Sequence, residues 1–337
     1  MSQGSSKADF EAAAGRMREG CIDVTPLRKS HWLSEELGGD VYLKLECLHQ
    51  AGSFKQRGVT NYLLACREAR GAFPARVMTA SGGNHGLAVA CACQRLSIPC
   101  IVVLPTNSVT EAKVRSLERF GATVEVHGDV WDDANAHVLA EVARDASSEY
   151  IHPFAHGWIR QGTGTIFLEL QAQLTALEGP GAAPADVVMA SVGGGGLLSG
   201  MMACAAALGS QVDFACVETE GTAWLYQSMA KGELVCLSKV DSIASTLGAK
   251  TTSPDVWEVV RNVTYPMQVS DAEAVEAIWQ ILAEEKLLVE PATSVNVAAL
   301  LKHKEKFKGK KIVVVICGTG LTLSQACEWK EKFCPDK

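Results

Sequence analysis

Short apolar strand-like runs alternate with helical patterns along most of this 337-residue chain. The predicted strands are 40–46, 76–80, 100–105, 123–128, 186–191, 212–218 and 310–317. Several are rich in valine and isoleucine, without the polar alternation of a half-exposed sheet, which is typical of parallel strands covered on both faces. Repeated strand–helix alternation therefore predicts an α/β protein with helices on both faces of parallel sheets.

The length and composition favour two modest α/β lobes. The chain has 47% hydrophobic and 20% charged residues, which is enough apolar material for two buried cores. A junction is predicted near 147–158, and the glycine- and proline-rich stretch 177–186 precedes the main strand of the second lobe. Two sheets rather than one are therefore expected.

Charge and cysteine spacing exclude several classes of protein. A formal net charge of -7 argues against nucleic acid as the main partner. The twelve cysteines are scattered, with no CxxC pair, which favours buried thiols in a reducing compartment over a disulfide framework or zinc site. No apolar stretch reaches membrane-spanning length and residues 1–20 do not resemble a signal peptide, so a cytoplasmic protein without membrane contact is expected.

A run of four glycines, Gly193 to Gly196, separates a predicted buried strand from an alanine-rich helix. Four glycines are costly to order, so we interpret them as backbone that approaches an anion at a helix N-terminus. The loop lacks the Gly-Lys-Ser/Thr of a P-loop and the spacing of a dinucleotide fingerprint. A bare packing turn is the alternative, and Glu218 at the end of the next strand keeps nucleotide binding open.

A second strand-to-helix loop, "SGGNHG" at 81–86, carries Ser81, Asn84 and His85. Backbone and side-chain donors around such a turn suit a carboxylate and a ring oxygen. A helix N-cap by Ser81 or Asn84 is the alternative, although capping explains only one of these polar residues.

The stretch "GSFKQRG" at 52–58 places one lysine, Lys55, on a tight turn. Most lysines beside turns are solvated. A lysine combined with a phosphate cradle and a carboxylate-binding loop, however, fits a cofactor with both an aldehyde and a phosphate. Pyridoxal phosphate is such a cofactor, and it forms a Schiff base with lysine.

Together these segments resemble a known family. "TPL" (25–27), "KLE" (44–46), "GSFKQRG", "SGGNHG" and "SVGGGGLLSG" (191–200) resemble the fold type II pyridoxal-phosphate enzymes of the serine/threonine dehydratase and serine racemase branch. Three later segments, 232–250, 285–292 and 316–318, look most like those of L-serine dehydratases. The resemblance implies a two-lobed, tryptophan synthase β-like fold and a homodimer. It assigns 1–49 plus 155–337 to a large cofactor-binding domain, and 50–154 to a small domain that closes over the substrate.

The resemblance also implies roles for individual residues. Lys55 would be the Schiff-base lysine and the general base. The cofactor-binding residues would be Phe54, Lys55, Asn84, Gly193, Gly194, Gly195, Gly196, Leu197 and Cys317. The substrate-carboxylate loop would comprise Ser81, Gly82, Gly83, Asn84 and His85. Cys317 would place a neutral thiol against the pyridine nitrogen, which favours elimination over transamination.

Three departures from the family pattern bear on the reaction. Gly82 occupies the position of a serine that acts as an acid in racemases, so racemisation is disfavoured unless water or His85 substitutes. Glu218 matches a metal-binding glutamate, but Trp224 occupies the position of its aspartate partner, which argues against a divalent metal. A site for a monovalent cation such as K⁺ and an ordinary strand-end carboxylate are the two interpretations left open. "PFAH" (153–156) and "GTGL" (318–321) also differ from the usual motifs.

The sequence therefore predicts an enzyme that eliminates water from a small L-β-hydroxy amino acid, after which the enamine formed is hydrolysed and releases ammonia. L-serine and L-threonine are the expected substrates, and a 2-oxo acid and ammonia the products. A serine racemase or a pyridoxal-phosphate-dependent β-replacement synthase is the alternative with the same cofactor. A non-catalytic nucleotide-binding α/β protein is the more distant one.

Overall fold

The computed structural model describes residues 5–19 and 22–335 of the chain. Within them, one sheet has six strands in the order β1-β2-β10-β7-β8-β9. Its strands are β1 (Leu27–Lys29), β2 (Val41–Lys44), β7 (Val187–Ser191), β8 (Asp213–Thr219), β9 (Tyr265–Val269) and β10 (Ile312–Val315). All neighbouring strands are parallel except the edge strand β1, which pairs antiparallel with β2.

A second, four-stranded sheet is built from the middle of the chain in the order β5-β4-β3-β6. Its strands are β3 (Arg76–Ala80), β4 (Cys100–Leu104), β5 (Thr123–Val126) and β6 (Ser148–Tyr150). Every pairing in this sheet is parallel. Two parallel sheets with connecting helices confirm the predicted α/β class.

Helices follow most strands and cover the sheets. Those before the glycine run are α1 (Lys7–Glu19), α2 (His31–Leu37), α3 (Lys55–Arg70), α4 (Asn84–Arg95), α5 (Glu111–Glu118), α6 (Trp131–Arg144) and α7 (Gly157–Glu178). Those after it are α8 (Gly196–Ala207), α9 (Trp224–Lys231), α10 (Pro254–Val260), α11 (Asp271–Glu285), α12 (Pro291–Lys302), α13 (Lys304–Phe307) and α14 (Leu323–Phe333). Among these described helices, none combines the length and apolarity needed to span a bilayer.

All seven predicted strands are present, each within a few residues of its expected ends. The sequence did not predict β1, β6 and β9. Strands β1 and β6 are three residues long, and β9 contains a proline and only two fully buried side chains. Strands β6 and β9 pair with strands that are distant in sequence, and β1 is too short to give a recognisable apolar run.

The positions of the parallel strands determine where the candidate functional residues lie. Strand β3 leads into the 81–83 turn and α4, and β7 leads into the glycine run and α8. Strand β10 leads into Cys317 and the segment after it. Ligands of open α/β sheets bind beyond the carboxyl ends of the strands, so the connections after β7 and β10 are expected to adjoin one site at the edge of the six-stranded sheet. The connection after β3 lies at the corresponding edge of the four-stranded sheet.

Candidate active site

Lys55 is the first residue of α3, and its amine contacts the segment before α7. Its Nζ donates a hydrogen bond of 2.7 Å to the Pro153 carbonyl and lies 5.2 Å from the centre of the Phe54 ring. Burial lowers the pKa of Lys55 to about 8, because a charged amine loses solvation in the interior. A desolvated amine of this kind is a better nucleophile and base near neutral pH than a solvated lysine.

The turn before Lys55 is joined to the segment that follows β10. The Phe54 N–H donates to the Cys317 carbonyl at 3.0 Å, and the Thr319 N–H donates to the Gly52 carbonyl at 3.1 Å. Ser53 and Gly318 form an isolated β-bridge between the same segments. These bonds bring Lys55 and Cys317 together although they are distant in sequence. Thr319, one of the family departures, therefore helps to hold the lysine turn.

Asn84 meets a carboxyl group that the sequence analysis did not identify, Glu290. Asn84 Nδ2 donates to Glu290 Oε1 at 2.7 Å, and both side chains are buried. Glu290 precedes α12, and burial raises its pKa to about 7 despite the Asn84 bond. In the sequence, the one feature that marks Glu290 is its position directly before a proline, in "EPA". A carboxyl with a raised pKa in a cleft is typical of a functional site.

The 81–85 loop is not a conventional helix cap. Gly83 is the N-cap residue of α4 and provides no side-chain cap, while Asn84 is already helical and points to Glu290. Ser81 Oγ accepts only a long bond of 3.4 Å from the Gly83 N–H. The capping alternative therefore leaves the polar side chains of this loop unexplained.

His85 is buried at the start of α4 with one nitrogen engaged. Its Nε2 lies 2.9 Å from the Ile151 carbonyl, which accepts the Nε2 proton. Nδ1 has no hydrogen-bond partner among the described residues, and burial lowers the pKa of the ring to about 3. In this tautomer Nδ1 carries no proton, so His85 has none to give to a substrate.

The glycine run forms a close-packed turn before α8, and Gly195 adopts φ +80°. Side chains at Gly194 or Gly196 would collide with Phe154, and one at Gly193 would lie 2.9 Å from a backbone carbonyl. The packing of Phe154 thus accounts for part of the glycine requirement that we attributed to a ligand. Leu197 follows in the first turn of α8 and is buried.

The start of α8 nevertheless fits an anion. Its N-cap, Gly195, supplies no side-chain acceptor for the N–H groups of the first turn. Such N–H groups bind phosphate readily at a helix N-terminus. Phe154 follows Pro153, whose carbonyl holds the lysine amine, so the glycine run and Lys55 adjoin the same short segment. This combination fits a cofactor with a phosphate and a lysine-reactive carbonyl.

Cys317 is a buried neutral thiol at the end of β10. Its Sγ lies 3.1 Å from Thr293 Oγ1 and 3.6 Å from Ser191 Oγ. Burial raises the pKa of the thiol to about 12, so it stays protonated at ordinary pH. Neither hydroxyl partner was predicted from the sequence.

Glu218 lies at the end of β8, and both of its carboxyl oxygens accept hydrogen bonds from backbone N–H groups. The N–H groups of Leu225 and Tyr226 donate to it at 3.0 and 2.7 Å, and burial raises its pKa to about 8. Within residues 5–19 and 22–335, no group of three or more histidine, cysteine or acidic side chains is arranged to hold a metal. Cation binding at Glu218 remains a prediction.

Side chains from three of the family motifs, "TPL", "KLE" and "KQRG", form one network of buried hydrogen bonds and ion pairs. Arg57 donates to both oxygens of Glu46 at 2.7 and 2.9 Å and to Glu169 at 2.6 Å. Thr25 Oγ1 donates to Glu46 at 2.6 Å, and Lys44 Nζ donates to Glu169 at 2.7 Å. Because Arg57 lies two residues after Lys55 in α3, this network anchors the helix that presents the lysine.

The altered "PFAH" segment is held by two histidines. His152 Nδ1 accepts hydrogen bonds from the N–H groups of Phe154 and Ala155, at 3.2 and 2.9 Å. His156 Nδ1 accepts from the Trp158 N–H at 3.1 Å and caps α7. The segment that positions the Pro153 carbonyl is thus shaped by local side-chain-to-backbone bonds.

The chain is similar to several known proteins. Residues 19–318 match the family described as "Pyridoxal-phosphate dependent enzyme". The human protein "Serine dehydratase-like" is 35% identical over 306 residues, covering 88% of this chain and 89% of the relative. The human "L-serine dehydratase/L-threonine deaminase" is 34% identical and covers 92% and 94% of the two chains.

A solved structure of maize serine racemase is also similar, with a TM-score of 0.86 and 26% identity. The alignment covers 98% of each chain, so both predicted lobes are included. The non-catalytic nucleotide-binding alternative has no counterpart in these matches. The chain belongs to the family of pyridoxal-phosphate dependent enzymes.

Proposed function

We propose that this protein is an ammonia-lyase that converts L-serine, L-threonine or both to a 2-oxo acid and ammonia. The observation that carries the proposal is Lys55, a desolvated amine held on the Pro153 carbonyl beside a neutral thiol and an uncapped glycine-rich helix start. The two human relatives are named for serine and threonine chemistry, which supports these substrates.

Pyridoxal phosphate, when bound, supplies a carbonyl that reacts with amines and a ring that accepts electrons from a carbanion. Residues of the chain would hold it at several points. The N–H groups of Gly193 to Gly196 and Leu197 would bind the phosphate, Asn84 the ring hydroxyl, and Cys317 the ring nitrogen. Phe54 would pack beside Lys55.

Lys55 would bind the cofactor covalently and, once released, remove the Cα proton of the substrate. Its lowered pKa leaves a large neutral fraction at mildly alkaline pH, as a general base requires. The Pro153 carbonyl would hold the amine in place between steps. The protonated Cys317 thiol would keep the ring nitrogen uncharged, which suits elimination.

The loop from Ser81 to His85 would bind the substrate carboxylate. The Gly83 N–H and Ser81 Oγ share only one long bond of 3.4 Å with each other, so both would be available to a carboxylate. A carboxylate there would also lie at the start of α4, where the helix dipole favours negative charge.

Serine racemase is the second candidate, because the maize racemase structure is similar over nearly the whole chain. Gly82 argues against it, because glycine cannot supply a proton to the second face of the substrate. His85 does not compensate, because its only proton lies toward the Ile151 carbonyl.

Several broader predictions belong to the same proposal. Residues 50–154 would form a small domain that closes over the substrate against 1–49 and 155–337, and two chains would form a homodimer. The cysteines among the described residues are free, which supports a reducing, cytoplasmic location.

The products formed from L-serine test the proposal. Protein reconstituted with pyridoxal phosphate should release equal amounts of 2-oxo acid and ammonia. Predominant D-serine would instead support the racemase, and capture of an added thiol in place of elimination would support a β-replacement synthase.

A further inference from the structure

Trp224 is a fully buried side chain that bonds directly to the glycine run. Its Nε1 donates to the Gly193 carbonyl at 2.6 Å. Thr252 Oγ1 donates to the next carbonyl, that of Gly194, at 2.8 Å. Two consecutive carbonyls of the proposed phosphate loop are therefore fixed by side chains from separate segments.

Fixing these carbonyls also fixes the N–H groups that follow them. In a trans peptide, the carbonyl of one residue and the N–H of the next point in opposite directions, and the described residues contain no cis peptide bond. The N–H groups of Gly194 and Gly195 therefore point away from Trp224 and Thr252. Neither N–H donates to a backbone acceptor within the described parts of the chain.

Trp224 is itself held by the carboxyl group of Glu218. Glu218 accepts the N–H groups of Leu225 and Tyr226, in the first turn of the helix that Trp224 begins. The indole also approaches the space beside Gly195, where an added Cβ would lie 3.8 Å from the Trp224 ring. Glu218 thus holds the start of α9, and α9 in turn holds the Trp224 indole against the glycine run.

We infer that Trp224 and Thr252 are positioning residues that orient the Gly194 and Gly195 N–H groups toward the cofactor phosphate. This inference rests on the proposed role of the glycine run. It adds that phosphate affinity depends on two side chains that do not touch the phosphate.

The test compares pyridoxal phosphate with pyridoxal, which lacks the phosphate, in titrations of the apoprotein. Both compounds react with Lys55 through an aldehyde, but free pyridoxal is largely closed to an internal hemiacetal. That closure is the same for every variant, so the change in the affinity ratio from wild type to variant isolates the phosphate contacts. Trp224→Phe removes the indole N–H and should weaken pyridoxal phosphate binding about tenfold, the effect of about 1.4 kcal/mol. Pyridoxal binding should be unchanged.

Matched controls exist for both residues. Trp279 has a buried Nε1 without a partner among the described residues, so Trp279→Phe loses no hydrogen bond and should leave both affinities unchanged. Thr252→Val should lower the affinity ratio several-fold. Thr251→Val, which removes a bond to the Val235 carbonyl instead, should not. If Trp224→Phe does not fold, the comparison of Thr252→Val with Thr251→Val tests the inference.

The outcomes separate the inference from the proposed function. If the wild-type protein binds both compounds equally, the glycine run is not the phosphate site, and the inference fails with that assignment. If the wild type prefers pyridoxal phosphate but the Trp224 and Thr252 variants keep the same ratio, only the inference is overturned. If a variant binds both compounds more weakly by the same factor, the substitution has disturbed the site as a whole. That result would also overturn the inference.

Discussion

Asn84 Nδ2 and Glu290 Oε1 form a 2.7 Å hydrogen bond that joins the start of α4 to the start of α12. The two residues are 206 positions apart, and Gly318 and Gly320 pack closely over the pair. The bond fixes the orientation of an amide proposed to contact the cofactor ring, and it places a buried carboxyl beside the reaction site.

Glu290→Gln should change how the stability of the apoprotein depends on pH. Burial raises the folded-state pKa of Glu290 to about 7 from 4.5, so its stabilising contribution is complete below pH 4.5 and is lost as pH rises through 7. Glutamine does not ionise, so the unfolding free energy of the variant does not show this decrease. The unfolding free energy of wild type relative to variant should fall by about 3 kcal/mol across that range, measured by urea denaturation. A difference independent of pH would contradict the buried carboxyl.

Glu46→Gln should destabilise the protein by about 3–5 kcal/mol, because it leaves Arg57 and Lys44 buried with less compensating charge. Cofactor retention should fall as well, since Arg57 anchors α3. Glu111→Gln is the control: it removes an exposed pair with Arg115 and should cost less than about 1 kcal/mol. Denaturant titration measures both, and equal costs would show that the buried network does not stabilise the fold.

Gly82→Ser should give the enzyme a second proton donor and detectable D-serine formation. A Cβ at Gly82 would lie 3.0 Å from the end of the Leu104 side chain, which can shift, and 3.5 Å from Lys113 Cδ. Wild type should form D-serine at no more than about 1% of the elimination rate, because a well-placed acid contributes about 10²-fold or more. Chiral chromatography measures both rates, and substantial D-serine from wild type would refute the role given to Gly82.

Cofactor attachment to the apoprotein should depend on pH through Lys55. Its pKa of about 8 means that the neutral fraction rises about fivefold between pH 7 and pH 8 and then levels off. Stopped-flow absorbance should show the attachment rate following this curve. A rate that keeps rising to pH 10 would indicate an ordinary solvated lysine.

Much of the fold could be predicted from the sequence, because buried parallel strands are written as local apolar runs. Lys55, Asn84 and the glycine run could be singled out as candidates, because they stand in short motifs that resemble those of a known family. The contacts of Glu290 and of the Trp224 indole could not be predicted, because each joins segments far apart in the chain. The packing of Phe154 against Gly194 was hidden for the same reason, although it explains part of the glycine requirement.

The most direct test of the account is 2-oxo acid release from L-serine and L-threonine by wild type and Lys55→Ala, both supplied with pyridoxal phosphate. Lys239→Ala, at an exposed lysine, is the control and should behave as wild type. The account predicts release by wild type and at least a roughly thousandfold loss in Lys55→Ala, since a covalent lysine that is also the base is removed. No release by wild type, or undiminished release by Lys55→Ala, would contradict it.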